Sequence, residues 1–552
     1  MNYIRSIFSC LALLMMINAA GQSKPIFAPT SPGAAPKSTT PGNPLPEDTT
    51  RKIHILNNTE RLTFNKVDDS TQLTIVTGNV KLRQNKTLIY CDSCVLNSRT
   101  NLFEAWGNVH INDADTANIY SNHLRYLGDK KLAYLDGNVR LTDGRGTLTT
   151  PDLEYDMETN IGIYTHGGKV NNGKTVLTSQ EGWYYADMKD VYFKRNVVLK
   201  DPAYDIVADS LLYNTESKTT RFISRTVITD TSGRVIETKE GYYNQGTGKA
   251  EFGSNPTIRD GDITIKGRTI NINDSTKTSV VEGNAIIVDK KNGTTILAGV
   301  IYRNNATEAI LATRKPLMIV KQNEDSIYVT ADTLFSARLS DKFGRDSVMV
   351  DSVAGTKIAF NEKDSTNRYF EGYRNVRIFN DSLQAVSDSM FYSFRDSTFK
   401  LYFDPVVWAQ NSQITGDTIF LFTRNKKADR VEAYENGFMI NRLDDQAFNQ
   451  VKSSRLDGWF LNGEIDSVRA NGFAECIYFL QDSDSAYTGV NQSTSDMIDF
   501  YFADKTLDRV VFRSAVTGTL WPIKQKSPTE MKLANFRWLE DRRPKTKYEM
   551  FE

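Results

Sequence analysis

The sequence predicts an all-β protein: an elongated sheet, creased into a V-shaped trough and built from about fourteen repeated strand pairs. Three observations carry that prediction. A two-strand unit is spelled most clearly by residues 131–156, KLAYLDGNVRLTDGRGTLTTPDLEYD. The unit recurs at a fixed period, with Gly78, Gly107, Gly137 and Gly167 separated by 29, 30 and 30 residues. The 25 tyrosines and 28 phenylalanines, with plentiful Thr and Val, suit strands. A fixed period of this size marks an array in which each unit buries its apolar face by stacking on its neighbours.

In chain order, residues 1–21 read as a secretory signal peptide. Arg5 supplies the positive start, residues 7–17 a short apolar core, and Ala19-Ala20-Gly21 a cleavage site. The apolar run is too short for a comfortable membrane span. Residues 22–50, rich in Pro, Ser, Thr, Gly and Ala, cannot bury enough surface to order themselves and read as a tether. Repeats then follow from 51 to 338. Residues 339–367 break the period and read as an insertion, either a seam between two lobes or one decoration on a continuous sheet. Repeats resume over 368–523. The tail, 524–552, carries a small cluster of Phe536, Trp538 and Leu539 and reads as a frayed terminus or short helix rather than a docking segment.

Within a first strand, alternation puts one parity on each face. Ala133, Leu135, Val139 and Leu141 share the apolar face with Gly137. A glycine inside a strand marks a bend or a close approach. Repeated in phase, it predicts a crease along the sheet. The inside of the V is then lined by Val76, Val80, Leu82, Phe103, Val109, Ile111, Leu135, Val139, Leu141, Val197, Leu199 and Ile287. The residues alone leave open whether this lining encloses an open trough or a packed core.

No catalytic constellation emerges, and no cofactor or metal is implied. Lys plus Arg equals Asp plus Glu at 67 each, so no global charge draws the chain to nucleic acid. His110 and His123 lie on different strands without ligand spacing and read as surface or interface residues. The Asp that recurs in the second strands (Asp92, Asp152, Asp209, Asp332, Asp388, Asp417, Asp496) would form a ladder one repeat apart, hydrogen-bonded or solvated, whereas calcium needs oxygens converging in one loop. Cys91 and Cys94, three apart in one strand, are expected on opposite faces, too far turned to bridge. Cys476 has no inferable partner.

The aromatic/aliphatic–x–Gly–Asn–Val–x–hydrophobic first strand, followed by a small–Asp–x–hydrophobic–aromatic second strand, resembles the OstA-like family of periplasmic lipopolysaccharide-transport bridge proteins. The resemblance covers 51–338 and 368–523. It implies a creased β-jellyroll, not an enzyme, whose interior shields lipid A acyl chains. It implies a periplasmic location, with association to the outer membrane left open. It also implies lipopolysaccharide or a related glycolipid as ligand, and edge-strand pairing with like-folded partners at the inner- and outer-membrane ends or head to tail with itself. The terminal edges are expected near Leu73 and Leu520. The chain is longer than the simplest members and leaves no room for a large outer-membrane barrel. The reading from a different class is a structural or adhesive β-solenoid. A polysaccharide-processing β-helix enzyme would need acids clustered on one face, which the sequence lacks.

Overall fold

A dipeptide in the middle of each first strand sets the shape of the sheet. In the computed structural model, Gly78 and Asn79 both have positive φ, 81° and 47°, and the same pairing recurs at 107–108, 137–138 and 283–284. Other residues take the position later: Arg195-Asn196, Ser254-Asn255, Arg374-Asn375 and Glu435-Asn436. At each site two residues on one strand oppose a single residue on the next. The register jumps from Thr77↔Ser93 to Val80↔Cys91, for example. This is a β-bulge, and it bends the strand. Stacked in phase, the bulges become the crease.

The second strand completes it. Ser121, Thr150, Ser179, Ser387, Ser453 and Ser495 each donate a hydroxyl hydrogen bond to the carbonyl two residues on, 2.7–3.0 Å away. Those bonds satisfy backbone groups that the bend takes out of the ladder. On the outside of the crease, Asn108 donates to Asp92, Asn375 to Asp332 and Asn436 to Asp417, at 2.9–3.2 Å. These members of the recurring Asp ladder thus clip one repeat to the next.

The structure describes residues 53–551, apart from 57–58, 85, 114–116, 145, 322–325, 344–348, 351–356, 359–365, 425–426, 462–463, 483–485 and 504–505. The signal peptide, the tether and most of the insertion therefore lie outside the described residues. Forty strands of the described chain form one antiparallel sheet. Strands such as Gln72–Gln84 and Leu132–Thr142 cross the crease whole; elsewhere it divides them, as in Ile161–Tyr164 and Gly168–Asn172. Residues before the crease of a first strand build the left wall, those after it the right wall. No strand pairing among the described residues joins the walls on the side away from the crease. The insertion does not interrupt the sheet, because Ser326–Thr330 and Thr333–Ala337 both pair with Tyr369–Phe379. The alternative of a decorated continuous sheet is the one observed.

Three expectations need correction. Cys91 and Cys94 both point inward, opposite Val80 and Val76. Asp92, the residue opposite the bulge, falls between them and resets the alternation. A hydrogen bond with the adjacent Cys91 thiol, and then burial, push the Cys94 thiol up. The N-terminal edge is also not the strand holding Leu73, which is covered by Arg61–Lys66.

The tail is the third. Residues 527–551 run back over the outer face of the right wall. Met531 and Leu533 pack with Phe438, Phe448 and Val490; Leu539 meets Trp408; Met550 meets Leu317 and Phe379. Buried Gln450 donates to the Met531 carbonyl and accepts from the Leu533 amide, both at 2.9 Å. Gln413 does the same with Arg537 and Leu539 at 2.7 Å. Two side-chain amides thus act as a missing strand for the strap. The outer right wall here is apolar, so the strap has a surface to bury.

Candidate functional site: the apolar seam and its mouth

The V has one continuous interior. Inward side chains from both walls form a single buried cluster from Val76 to Phe500. All twelve expected lining residues lie in it, between 0 and 5 % exposed. They meet the opposite wall and fill the space, so of the two readings left open by sequence the structure shows side-chain filling over most of the length. Tyr164 illustrates how closely: a Cβ added to Gly168 or Gly182 would lie 2.4–2.5 Å from its ring.

At both ends the seam is uncovered. Leu62 and Phe64 pair with Val76 and Thr74, share their inward face, and are 45 % and 58 % exposed. At the other end Leu520, opposite Asn491 in the last right-wall strand, is 59 % exposed. The outer sides of Arg61–Lys66, Thr506–Arg513 and Thr517–Pro522 carry no strand partner among the described residues.

Along the mouth, tyrosines on the left lip recur as regularly as the glycines: Tyr126, Tyr155, Tyr184, Tyr213 and Tyr243. Several bond to the other lip. Tyr126 donates to Gln84, Tyr184 to Asp143 at 3.3 Å, and Asn172 donates to Tyr213 at 3.0 Å. The next rung is reversed, Gln245 donating to Tyr204 on the right lip. Burial pushes the Tyr126 phenol up to about 12 and raises Tyr184, Tyr204 and Tyr213 as well. Sequence reasoning missed this ladder, although tyrosine at a 29–30-residue spacing was its signal.

Beside Tyr204 four inward residues are slightly open, Tyr204 and Ile228 at 8 % and Ile236 and Ala250 at 6 % exposed, whereas Ile206, Phe222 and Phe252 stay at 0–2 %. A cavity of about 160 Å³ opens there, walled by Ile206, Phe222, Ile228, Ile236 and Phe252.

His110 stacks between Tyr90 and Tyr120, and His123 meets Asp136 at 2.8 Å. Both are strand-face residues rather than parts of a reactive cluster.

Fold and seam define a class: a creased, two-walled β-jellyroll with one apolar lining running from edge to edge. Residues 51–209 match the family model described as OstA-like protein, which shows the resemblance over that stretch. No curated protein matches the chain. Among solved structures it is similar to LptH of Pseudomonas aeruginosa, described as the LptA homologous periplasmic component of the conserved lipopolysaccharide transport device. That similarity has 8 % identity and a TM-score of 0.19, and it covers 26 % of this chain and 82 % of the other.

Proposed function

We propose that the protein is a non-enzymatic carrier that shields the acyl chains of lipopolysaccharide, or a related glycolipid, across the periplasm toward the outer membrane. The observation that carries this reading is the apolar seam, continuous along the sheet and exposed at both terminal edges. The match of residues 51–209 to the OstA-like family supports it. An acyl chain in water costs about 25 cal/mol per Å² of exposed apolar surface, so a transported lipid needs an unbroken lining.

The filled interior sets the mechanism. Acyl chains enter by parting the walls, which are hinged at the crease and held at the mouth by one or two hydrogen bonds at each rung, each worth roughly 1 kcal/mol. Exchanging valine–leucine contacts for acyl–leucine contacts keeps apolar surface out of water throughout. Opening therefore costs mainly the bonds at the mouth. Partners at either end, including further copies of the chain, would add strands to the exposed edges and extend the lining.

The filled interior also favours a second reading, a structural β-rich rod with no cargo. Val139→Asp would destabilise the protein under both readings, because the carboxylate would be buried unpaired. Photo-crosslinking separates them. A photoreactive residue at Val139 or Leu199 yields lipopolysaccharide adducts if the seam carries lipid. Absence of adducts from inward positions along the whole seam leaves the rod.

A further inference from the structure

We infer that the cavity beside Tyr204 is a side entrance to the seam, holding one alkyl chain of an anionic amphiphile. The inference rests on the carrier reading and specifies where loading begins. Four observations meet here. The rungs across the mouth end at Gln245–Tyr204, and among the described residues no hydrogen bond from 246 to 304 crosses to the other lip. Immediately beyond lies a cavity of about 160 Å³ whose walls come from both sides of the V. That volume is close to the roughly 150 Å³ engineered cavity, lined by Leu, Ile and Phe, that stays dry and admits a benzene ring. It suits a short run of methylenes, with the rest of a longer chain sliding between the walls.

The mouth of the cavity is polar. Asp230 pairs with Arg234 at 2.9 Å on the right lip, and Asp274 faces Tyr243 on the left. Among the described residues no hydrogen bond joins these groups across the gap, which leaves it passable. A second, polar hollow of about 360 Å³ adjoins the cavity and shares Ala203, Tyr204 and Tyr243 with it. It is edged by Lys174 and Lys218, both exposed. Its Asp201 is already engaged by Thr175 at 2.6 Å and Gln245 at 3.3 Å. Those neutral donors leave Asp201 its charge, and the two lysines outnumber it, so the hollow carries one net positive charge. An apolar slot beside a cationic vestibule fits a chain with an anionic head, the phosphate or carboxylate remaining in water.

The test uses the full mature chain and 11-(dansylamino)undecanoic acid as probe. Wild type should bind it with enhanced dansyl emission. Ala250→Trp, which fills the slot, should weaken binding about tenfold or more, roughly 1.4 kcal/mol. Ala203→Trp is exposed and blocks the mouth without entering the core, so it serves if Ala250→Trp misfolds by circular dichroism. The double variant Lys174→Glu/Lys218→Glu should weaken the anionic probe while leaving competition by neutral dodecyl maltoside unchanged. Wild-type affinity in both folded tryptophan variants overturns the entrance, as does a wild-type protein that does not bind the probe. Lipopolysaccharide adducts at Val139 would persist in either event, so the carrier reading is judged separately.

Discussion

At the scale of single residues, the crease depends on backbone that few side chains tolerate. Gly137 has φ +76°, and a Cβ there would sit 2.9 Å from the Asn122 Cβ. Left-handed backbone costs an ordinary residue about 1–2 kcal/mol, and the contact adds to that. Gly137→Ala should lower stability by about 2 kcal/mol in a urea titration, whereas Gly144→Ala, with open space around it, should lose only the backbone term. Equal losses would show that the crease is not tightly packed. The tyrosine rungs make a second prediction. Burial favours the neutral phenol, so the Tyr126 phenol at about 12 stands above the ordinary value of about 10. Its contribution to stability is complete below pH 10 and is lost as pH rises from about 10 toward 12. Phenolate absorbance should therefore rise together with loosening of the mouth, and Tyr126→Phe should remove part of that dependence at a cost of about 1 kcal/mol at neutral pH. A flat stability profile between pH 9 and 12 would falsify the rungs as closures.

Among elements, the strap shows where sequence reading stops. The crease was legible because Gly-Asn is a backbone requirement repeated at fixed spacing, and because Leu135, Val139 and Leu141 alternate cleanly around it. The bulge itself hid one consequence: counting parity straight through Asp92 separates Cys91 from Cys94, which in fact share a face. The strap has no period, since its contacts are to a surface rather than to a neighbour in the repeat. Its signal lay on the other side of the contact. Right-wall strands of the C-terminal half, such as Val406–Ala409 (VVWA), are apolar at both parities and buried throughout, as strands covered on both faces are. Removing 527–552 should uncover Trp408, Phe438 and Met439's neighbour Ile440, lower the melting temperature and promote aggregation. Gln413→Ala should cost about 1–3 kcal/mol, since it leaves the Leu539 amide and the Arg537 carbonyl without their partner. An unchanged melting curve for the truncation would show that the strap lies on the wall without stabilising it.

For the molecule as a whole, the two terminal edges decide whether one chain suffices. An unpaired strand with apolar side chains invites another strand, and proteins that avoid this place lysine or proline on the edge. Arg61–Lys66 is flanked by charge but keeps Leu62 and Phe64 on the inward face; the far edge keeps Leu520 on the same face. If the edges join, those residues enter a shared interior, and the seam runs from one copy or partner into the next without a wet gap. Replacing both with lysine puts two charges at that junction while leaving the Val76 layer in place. Leu62→Lys/Phe64→Lys should therefore abolish concentration-dependent association in sedimentation velocity, with circular dichroism and the Gln245–Tyr204 stretch unaffected. Thr63→Pro tests the backbone separately: proline removes one N–H and opposes strand addition even with the apolar pair intact. Association that survives the lysines and fails with proline would mean that backbone pairing alone joins the copies, and the lining would then be interrupted at every junction.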